Sequence, residues 1–283
     1  MMNNFLRHKL NLKTELGQHL TVDKQILQDI VDAAAIDKDD IVIEIGSGTG
    51  VLTELLCEKT KKVIAYEVDH QFKFYLDKLC IKYQNLEVRF ENIRRAKINF
   101  FYNKVVGNIS YHIVEPLLWK FRLRQVDLMI FVVSKKFAYT LTQDFTKQKV
   151  DSEIPLIFQS RFKIELLKIY PKTGFYPPPP VGSALIRLTP IPKESLKNNF
   201  IRYIIRYLFG HKNSKLKNAL REGLIDYWNI AKNSFLSKKQ AHNMIDQIDI
   251  PQEKLDQAVD GANIFEEIVK LRGLDKLFKL TSS

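Results

Sequence analysis

Apolar residues recur along the first 190 positions in two alternating rhythms. Short runs of β-branched and aliphatic residues are separated by stretches with a 3.6-residue period. Asp23 to Ala35 carries Ile26, Leu27, Ile30, Val31 and Ala34 on one side of a helix. After a turn at Asp37 to Asp40, Ile41-Val42-Ile43-Glu44-Ile45 reads as a buried strand. A helix from Val51 to about Lys59 follows. Lys62 to Tyr66 is a second strand, ending at Glu67. Gln71 to Lys82 is helical, Leu86 to Phe90 alternates as a strand, and Lys104 to Gly107 is a short one. His112 to Phe121 is helical, with Pro116 tolerable only in the first turn. Asp127 to Val133 is a buried strand and Lys135 to Thr142 a helix. Arg161 to Ile169 and Ser183 to Leu188 are strands flanking the Pro-rich loop Thr173 to Pro180. Alternating strands and helices predict an α/β fold with a mostly parallel sheet, to which the late hairpin adds an antiparallel strand. Past Pro190-Ile191-Pro192 only helical periods remain, among them Ile201, Ile204, Ile205 and Leu208 on one stripe. The expected division is therefore a catalytic domain over 1–192 and a small all-α domain over 193–283.

The stretch that carries chemistry first is Gly46-Ser47-Gly48-Thr49-Gly50, between the first strand of the sheet and its helix. Glycines there let ligand atoms approach the main chain. The same pattern fits an ordinary strand–turn–helix junction, so the next strand matters. It ends at Glu67, about 20 positions on, where a carboxylate can accept both ribose hydroxyls of an adenosine. The spacing is Gly-x-Gly-x-Gly rather than the Gly-x-Gly-x-x-Gly expected around a pyrophosphate. S-adenosylmethionine (SAM) fits this reading, and NAD fits it less well.

A second constellation, Asn108-Ile109-Ser110-Tyr111, follows the short strand at Lys104. That places it on the same sheet edge as the glycine turn. Methylating an exocyclic adenine amine needs acceptors for its N–H bonds and a surface that fixes the base plane. Asn108 can supply an amide oxygen, Ile109 its carbonyl, and Tyr111 a stacking ring. No strong general base is required, and the rest is positioning.

The formal charge of +12 and pI near 9.5 point to a polyanionic partner, most readily nucleic acid. Arg202, Arg206, Lys212, Lys215 and Lys217 lie in a segment with few acids, which reads as a phosphate-contacting surface. Cys57 and Cys80 make no metal spacing and are expected as free buried thiols in a reducing cytoplasm. No apolar run reaches membrane-spanning length, and the N-terminal residues lack the apolar stretch of a secretory signal. No metal site, no membrane and a cytoplasmic monomer are expected.

Taken together, these motifs resemble the KsgA-type rRNA adenine dimethyltransferases, which share a core with the Erm-type resistance methyltransferases. Gly17-Gln18-His19-Leu20 is similar to the family's Gly-Gln-x-Phe-Leu motif. Glu44 to Gly50 is similar to its SAM-binding turn, and Asn108 to Tyr111 to its Asn-[Leu/Ile]-Pro-Tyr. Phe175-Tyr176-Pro177 through Val181-Gly182-Ser183 is similar to Phe-x-Pro-x-Pro-x-Val-x-Ser. Phe209 to Asn213 with Leu216 to Arg221 is similar to the KsgA-type C-terminal domain, archaeal members in particular. The resemblance covers nearly the whole chain and implies a Rossmann-like SAM-dependent methyltransferase sheet with a helical rRNA-engaging domain.

The resemblance further implies that Gln18, His19, Leu20, Glu44, Gly46, Gly48, Glu67, Val68, Asn92, Ile93 and Asn108 surround SAM. It implies that Asn108, Ile109 and Tyr111 hold the target base, with Phe175 packing against it. The implied reaction is N6,N6-dimethylation of two adjacent adenosines near the 3′ end of small-subunit rRNA, in ribosome biogenesis. Four positions depart from the family pattern. Asn92 stands for an Asp, Leu20 for an aromatic, Ser110 for a proline and Gly182 for an Asp. Asn92 keeps an acceptor and gains a donor but loses a charge-assisted bond to adenine. These departures leave a non-catalytic or weakly active ribosome-assembly homologue as the rival reading. An Erm-type large-subunit methyltransferase is the other, disfavoured by the C-terminal segment.

Overall fold

The computed structural model describes residues 10–14, 17–110, 113–121, 126–143, 154–192, 195–196, 199–211, 213–232, 235–259, 267, 270–271 and 273–274. These divide into two compact units. One lies within Met1–Thr142 and Lys163–Pro190, the other within Gln143–Phe162 and Ile191–Ser283.

The first unit is built on a seven-stranded sheet. Its strands are β2 (Ile41–Ile45), β3 (Lys62–Glu67), β4 (Leu86–Phe90), β5 (Lys104–Asn108), β6 (Leu128–Ser134), β7 (Phe162–Tyr170) and β9 (Ser183–Pro190), in the order β4-β3-β2-β5-β6-β9-β7. The five strands from β4 to β6 run parallel, and β9 runs antiparallel to β6. This is the expected mixed Rossmann-like sheet. Central strands are buried on both faces, which is why β6 reads as an unbroken apolar run.

Helices α1 (Lys24–Ala33), α2 (Val51–Cys57), α3 (Lys73–Lys82), α4 (Val114–Phe121) and α5 (Lys135–Thr142) follow the expected order. Asp23 lies outside α1 and caps it, accepting the Gln25 N–H at 2.8 Å. Ile26, Leu27, Ile30 and Val31 pack with Val42, Val106, Ile130 and Val132 in one cluster. Pro116 is the third residue of α4, where a missing N–H costs nothing.

Two features have no counterpart in the sequence reading. A two-residue strand β1 (Leu20–Thr21) pairs antiparallel with β8 (Phe175–Tyr176), matching Leu20 to Tyr176 and Thr21 to Phe175. Helix α6 (Ile154–Gln159) is buried from Pro155 onward and belongs to the second unit. Cys57 is buried as expected, but Cys80, on α3 beside the backbone of Val88 in β4, is only partly covered. Burial pushes the Cys57 thiol up to about 12.

The second unit is helical, with α7 (Phe200–Gly210), α8 (Leu216–Lys232), α9 (Lys238–Asp246) and the short α10 (Gln252–Leu255). The expected stripe Ile201, Ile204, Ile205 and Leu208 is buried, and α8 packs on both α7 and α9. The basic run here is not without acids. An isolated bridge pairs Lys215 with Ala258, and nearby Asp256 salt-bridges both Lys215 and Lys217. Arg206 donates to the Ile191 carbonyl at 2.6 Å. The compensating carboxylate comes from some 40 residues away, which a local charge count cannot see. Lys212 lies outside the described residues. Among the described residues, no helix is long and apolar enough to cross a membrane.

Candidate active site

Because β2, β3, β4 and β5 run parallel, their C-terminal ends at Ile45, Glu67, Phe90 and Asn108 share one edge. A cavity of about 370 Å³ opens there. Its wall includes Gln18, His19, Leu20, Glu44, Gly46, Gly48, Glu67, Val68, Asn92, Ile93, Asn108 and Ile109. All the residues expected around the cofactor are therefore brought together from five separate segments. Phe175 is not on this wall. It is 3% exposed, packs in the α1 cluster and reaches the site only through its strand partner Thr21. Tyr111 lies outside the described residues.

The glycine turn holds its shape by left-handed backbone at Gly46, Gly48 and Gly50, with φ of 74°, 51° and 82°. L-residues with side chains strain there. At Gly50 a methyl group would also run into Leu79 of α3. At Gly46 the nearest atom to such a methyl is the Asn108 carbonyl at 3.7 Å, so the cavity side of this residue is open main chain.

Glu67 sits at the end of β3 with 6% exposure. Its carboxylate accepts three backbone N–H groups: Gly48 at 2.8 Å, Val68 at 2.8 Å and Asp69 at 2.9 Å. Burial raises its pKa, and those three N–H bonds oppose the rise. Oε1 accepts two of these bonds and Oε2 one, so the lone pair that remains for a hydroxyl donor is on Oε2. Glu44 lies deeper, wholly buried, with Oε2 lacking a partner. Burial pushes its carboxyl up to about 8; the nearby Thr53 hydroxyl pulls the other way and Glu67 adds repulsion.

The segment before β1 is strapped across this edge. Gln18 Nε2 donates to Asp69 Oδ2 at 2.8 Å, and Gln18 Oε1 accepts the Lys13 N–H at 2.8 Å. Gln71 Nε2 reaches Asp69 Oδ2 at 2.7 Å and the Asn11 carbonyl at 3.2 Å. Burial pushes Asp69 up, but the Gln18 and Gln71 bonds and Lys13 outweigh it and hold its carboxyl below the usual range. His19 Nδ1 lies 2.7 Å from the Pro177 carbonyl, which can only accept, so Nδ1 carries the proton. Sequence reasoning missed Asp69 and Thr21. Asp69 caps the turn His70–Phe72, and its partner Gln18 is 51 positions away, beyond any local pattern.

Asn108 is the last residue of β5. Its Nδ2 donates to the His19 carbonyl at 2.8 Å and to Thr21 Oγ1 at 3.2 Å. A carbonyl fixes which end of the amide is nitrogen, so Oδ1 is the end left to accept from a ligand. Ile109 is anchored by its N–H to the Val132 carbonyl at 2.9 Å. Ser110, where the family pattern has proline, packs directly against Gly17. Asn92 Oδ1 accepts the Arg94 N–H at 3.0 Å, closing a turn and leaving Nδ2 to face a ligand.

This geometry agrees with what the chain matches. Residues 9–253 match the family described as ribosomal RNA adenine dimethylase. The chain belongs to that family. The dimethylase is 34% identical over 221 residues to a probable ribosomal RNA small subunit methyltransferase A from Methanopyrus kandleri, covering 76% of this chain and 79% of that one. It is 30% identical over 232 residues to ribosomal RNA small subunit methyltransferase A from Alkaliphilus metalliredigens, covering 77% and 80%. In fold the dimethylase is similar to a dimethyladenosine transferase from Plasmodium falciparum, with a TM-score of 0.62 and 24% identity over 89% of this chain and 96% of that one.

Proposed function

We propose that this dimethylase transfers methyl groups from SAM to N6 of two adjacent adenosines near the 3′ end of small-subunit rRNA, as a step of ribosome biogenesis. The observation that carries the reading is Asn108. Its amide is locked by the His19 carbonyl with Oδ1 left as an acceptor, at the edge of a cavity walled by the glycine turn and Glu67.

The residues present fit SAM. An open main chain at Gly46 and a buried carboxylate at Glu67 suit a ribose, and the cavity extends to Asn92, Ile93 and Val68, which suit an adenine edge and its two faces. Gln18, His19 and Leu20 close the side toward the N-terminal segment. When bound, SAM supplies an electrophilic methyl group. Asn108 Oδ1 and the Ile109 carbonyl accept the two N6–H bonds of the target adenine and favour the positive charge that develops on nitrogen. Tyr111 stacks on the base. With SAM held there, N6 would take the methyl as its bond to the sulfonium sulfur breaks, the neutral thioether would be the leaving group, and the N6 proton would pass to solvent. Phe175, one strand partner from Thr21, positions the segment that holds Asn108 rather than touching the base. The helical unit over 193–283 engages rRNA, and the protein works as a cytoplasmic monomer.

The test is methyl transfer from labelled SAM to unmethylated small ribosomal subunits, with the product rRNA digested to nucleosides. Dimethyladenosine is expected. Label confined to large subunits, or none on subunits that nonetheless bind, would overturn the reading.

A further inference from the structure

Beside the cofactor cavity lies a second concavity, a groove of about 550 Å³ lined by Asn92, Arg94, Arg95, Pro116, Trp119 and Lys120. It shares Asn92 and Arg94 with the cavity wall. Arg94 and Arg95 are exposed and form no ion pair among the described residues. The turn that presents them is fixed at its root. Asn92 Oδ1 accepts the Arg94 N–H, and the Asn92 carbonyl accepts the N–H groups of Arg95 at 2.9 Å and Ala96 at 3.0 Å. The opposite wall is α4, the helix that follows the Asn108 motif. There Lys120 Nζ donates to the Ala96 carbonyl at 2.6 Å, and half-buried Trp119 points Nε1 toward Glu115 Oε1 at 3.4 Å. In sequence, Glu91 and Glu115 directly precede the groove residues Asn92 and Pro116, and neither lines the groove itself.

Two adjacent guanidinium forks that form no ion pair among the described residues match phosphate oxygens, and an indole beside them offers a flat surface to a base or sugar. The groove adjoins the cavity at Asn92 and Arg94 on one side and the helix that follows Asn108 to Ser110 on the other. We propose that it holds the ribose–phosphate backbone of the RNA strand adjoining the target adenosine, with Arg95 on a phosphate. This rests on the RNA methyltransferase reading above. It places an RNA contact within the sheet unit itself, whereas Lys215 and Lys217 of the helical unit, which the basic run suggested, are tied to Asp256.

Arg95 lines the groove but not the cofactor cavity, which makes Arg95→Glu the informative variant. Filter binding of unmethylated small subunits and of a 3′-terminal small-subunit rRNA transcript, across a salt series, reads the contact. Arg95→Glu should weaken RNA binding roughly tenfold at low salt, and Arg95→Ala should lower the salt slope by about one. Arg95→Lys should recover most of the affinity, and SAM binding by calorimetry should be unchanged in all three. RNA affinity and salt slope equal to wild type would overturn the proposal. The two readings fail separately. A wild-type protein that transfers no methyl while Arg95→Glu still loses RNA would sink the function and keep the groove. A wild-type protein that methylates, with Arg95→Glu binding RNA equally well, would sink the groove and keep the function.

Discussion

Asn108 and His19 are joined by a hydrogen bond of 2.8 Å from the amide nitrogen of one to the carbonyl of the other. They are 89 positions apart in sequence. The bond orients the side chain proposed to hold the base through the strap that lines the cavity. Asn108→Ala removes both the free oxygen and the anchor. Methyl transfer should fall by about 100-fold or more, as for loss of a charge-stabilising group. SAM affinity should fall by only about tenfold, the worth of one or two neutral hydrogen bonds. Methyl incorporation and calorimetric SAM binding measured on the same preparation check this. Unchanged turnover would remove Asn108 from the chemistry.

Much of this site was legible because its residues end strands. Ile41–Ile45 and Leu86–Phe90 begin and stop where their apolar pattern does, and the glycine turn follows one of them directly. What was not legible depends on distance or brevity. β1 and β8 have two residues each, too few for any period, yet their pairing brings Thr21 to Asn108 and draws Phe175 into the core. Ile154–Gln159 is buried nearly all round, so it shows no helical stripe. The lysines at 215 and 217 looked unpaired because Asp256 is remote in sequence.

Glu67 is held by three backbone N–H groups, which a carboxylate accepts and an amide cannot accept in full. In Glu67→Gln the amide nitrogen must face at least one N–H donor. The lost bonds should cost about 1–3 kcal/mol of stability, since a buried donor is left without a partner. SAM affinity should fall by more than about tenfold, because Oε2, which keeps a lone pair, is the candidate acceptor for a ribose hydroxyl. Thermal unfolding with and without SAM checks both effects. A variant that melts like wild type and gains equal stabilisation from SAM would contradict this role.

Glu44 carries a pH signature. Its carboxyl titrates at about 8 in the folded protein, above the ordinary 4.5, chiefly through burial. A group with a raised folded pKa contributes stability that is complete below its unfolded value and is lost as pH rises through its folded value. Wild-type stability should therefore decline between about pH 5 and about pH 9 by more than carboxylates at the surface would explain. Glu44→Gln stays neutral throughout and should show a flatter curve over that window. Denaturant midpoints against pH for both proteins make the comparison. Parallel curves would mean that Glu44 is ionised in the folded protein at neutral pH.

Asp40 and Lys104 form the opposite kind of pair, at the N-terminal edge of the sheet away from the cavity. Lys104 Nζ donates to Asp40 Oδ2 at 2.7 Å, and Asn103 Nδ2 donates to Oδ1 at 2.6 Å. The side chains are 12% and 6% exposed. Burial pushes Asp40 up, but the Lys104 bond, the Asp37 N–H and Asn103 outweigh it, so its carboxyl lies below the ordinary value. A depressed pKa contributes stability that is present above the unfolded value and is lost as pH falls through the folded one. Lys104→Met leaves the carboxylate buried without its cation, which should cost about 3 kcal/mol at neutral pH. The penalty should shrink toward about pH 4, because protonating the uncompensated Asp40 relieves the variant, while the wild-type carboxyl, held below its ordinary value, is still ionised and paired there. Urea unfolding at both pH values measures the difference, and SAM binding should not change. A penalty that stays constant with pH would show that Lys104 acts through packing of its methylene stem rather than through the Asp40 charge.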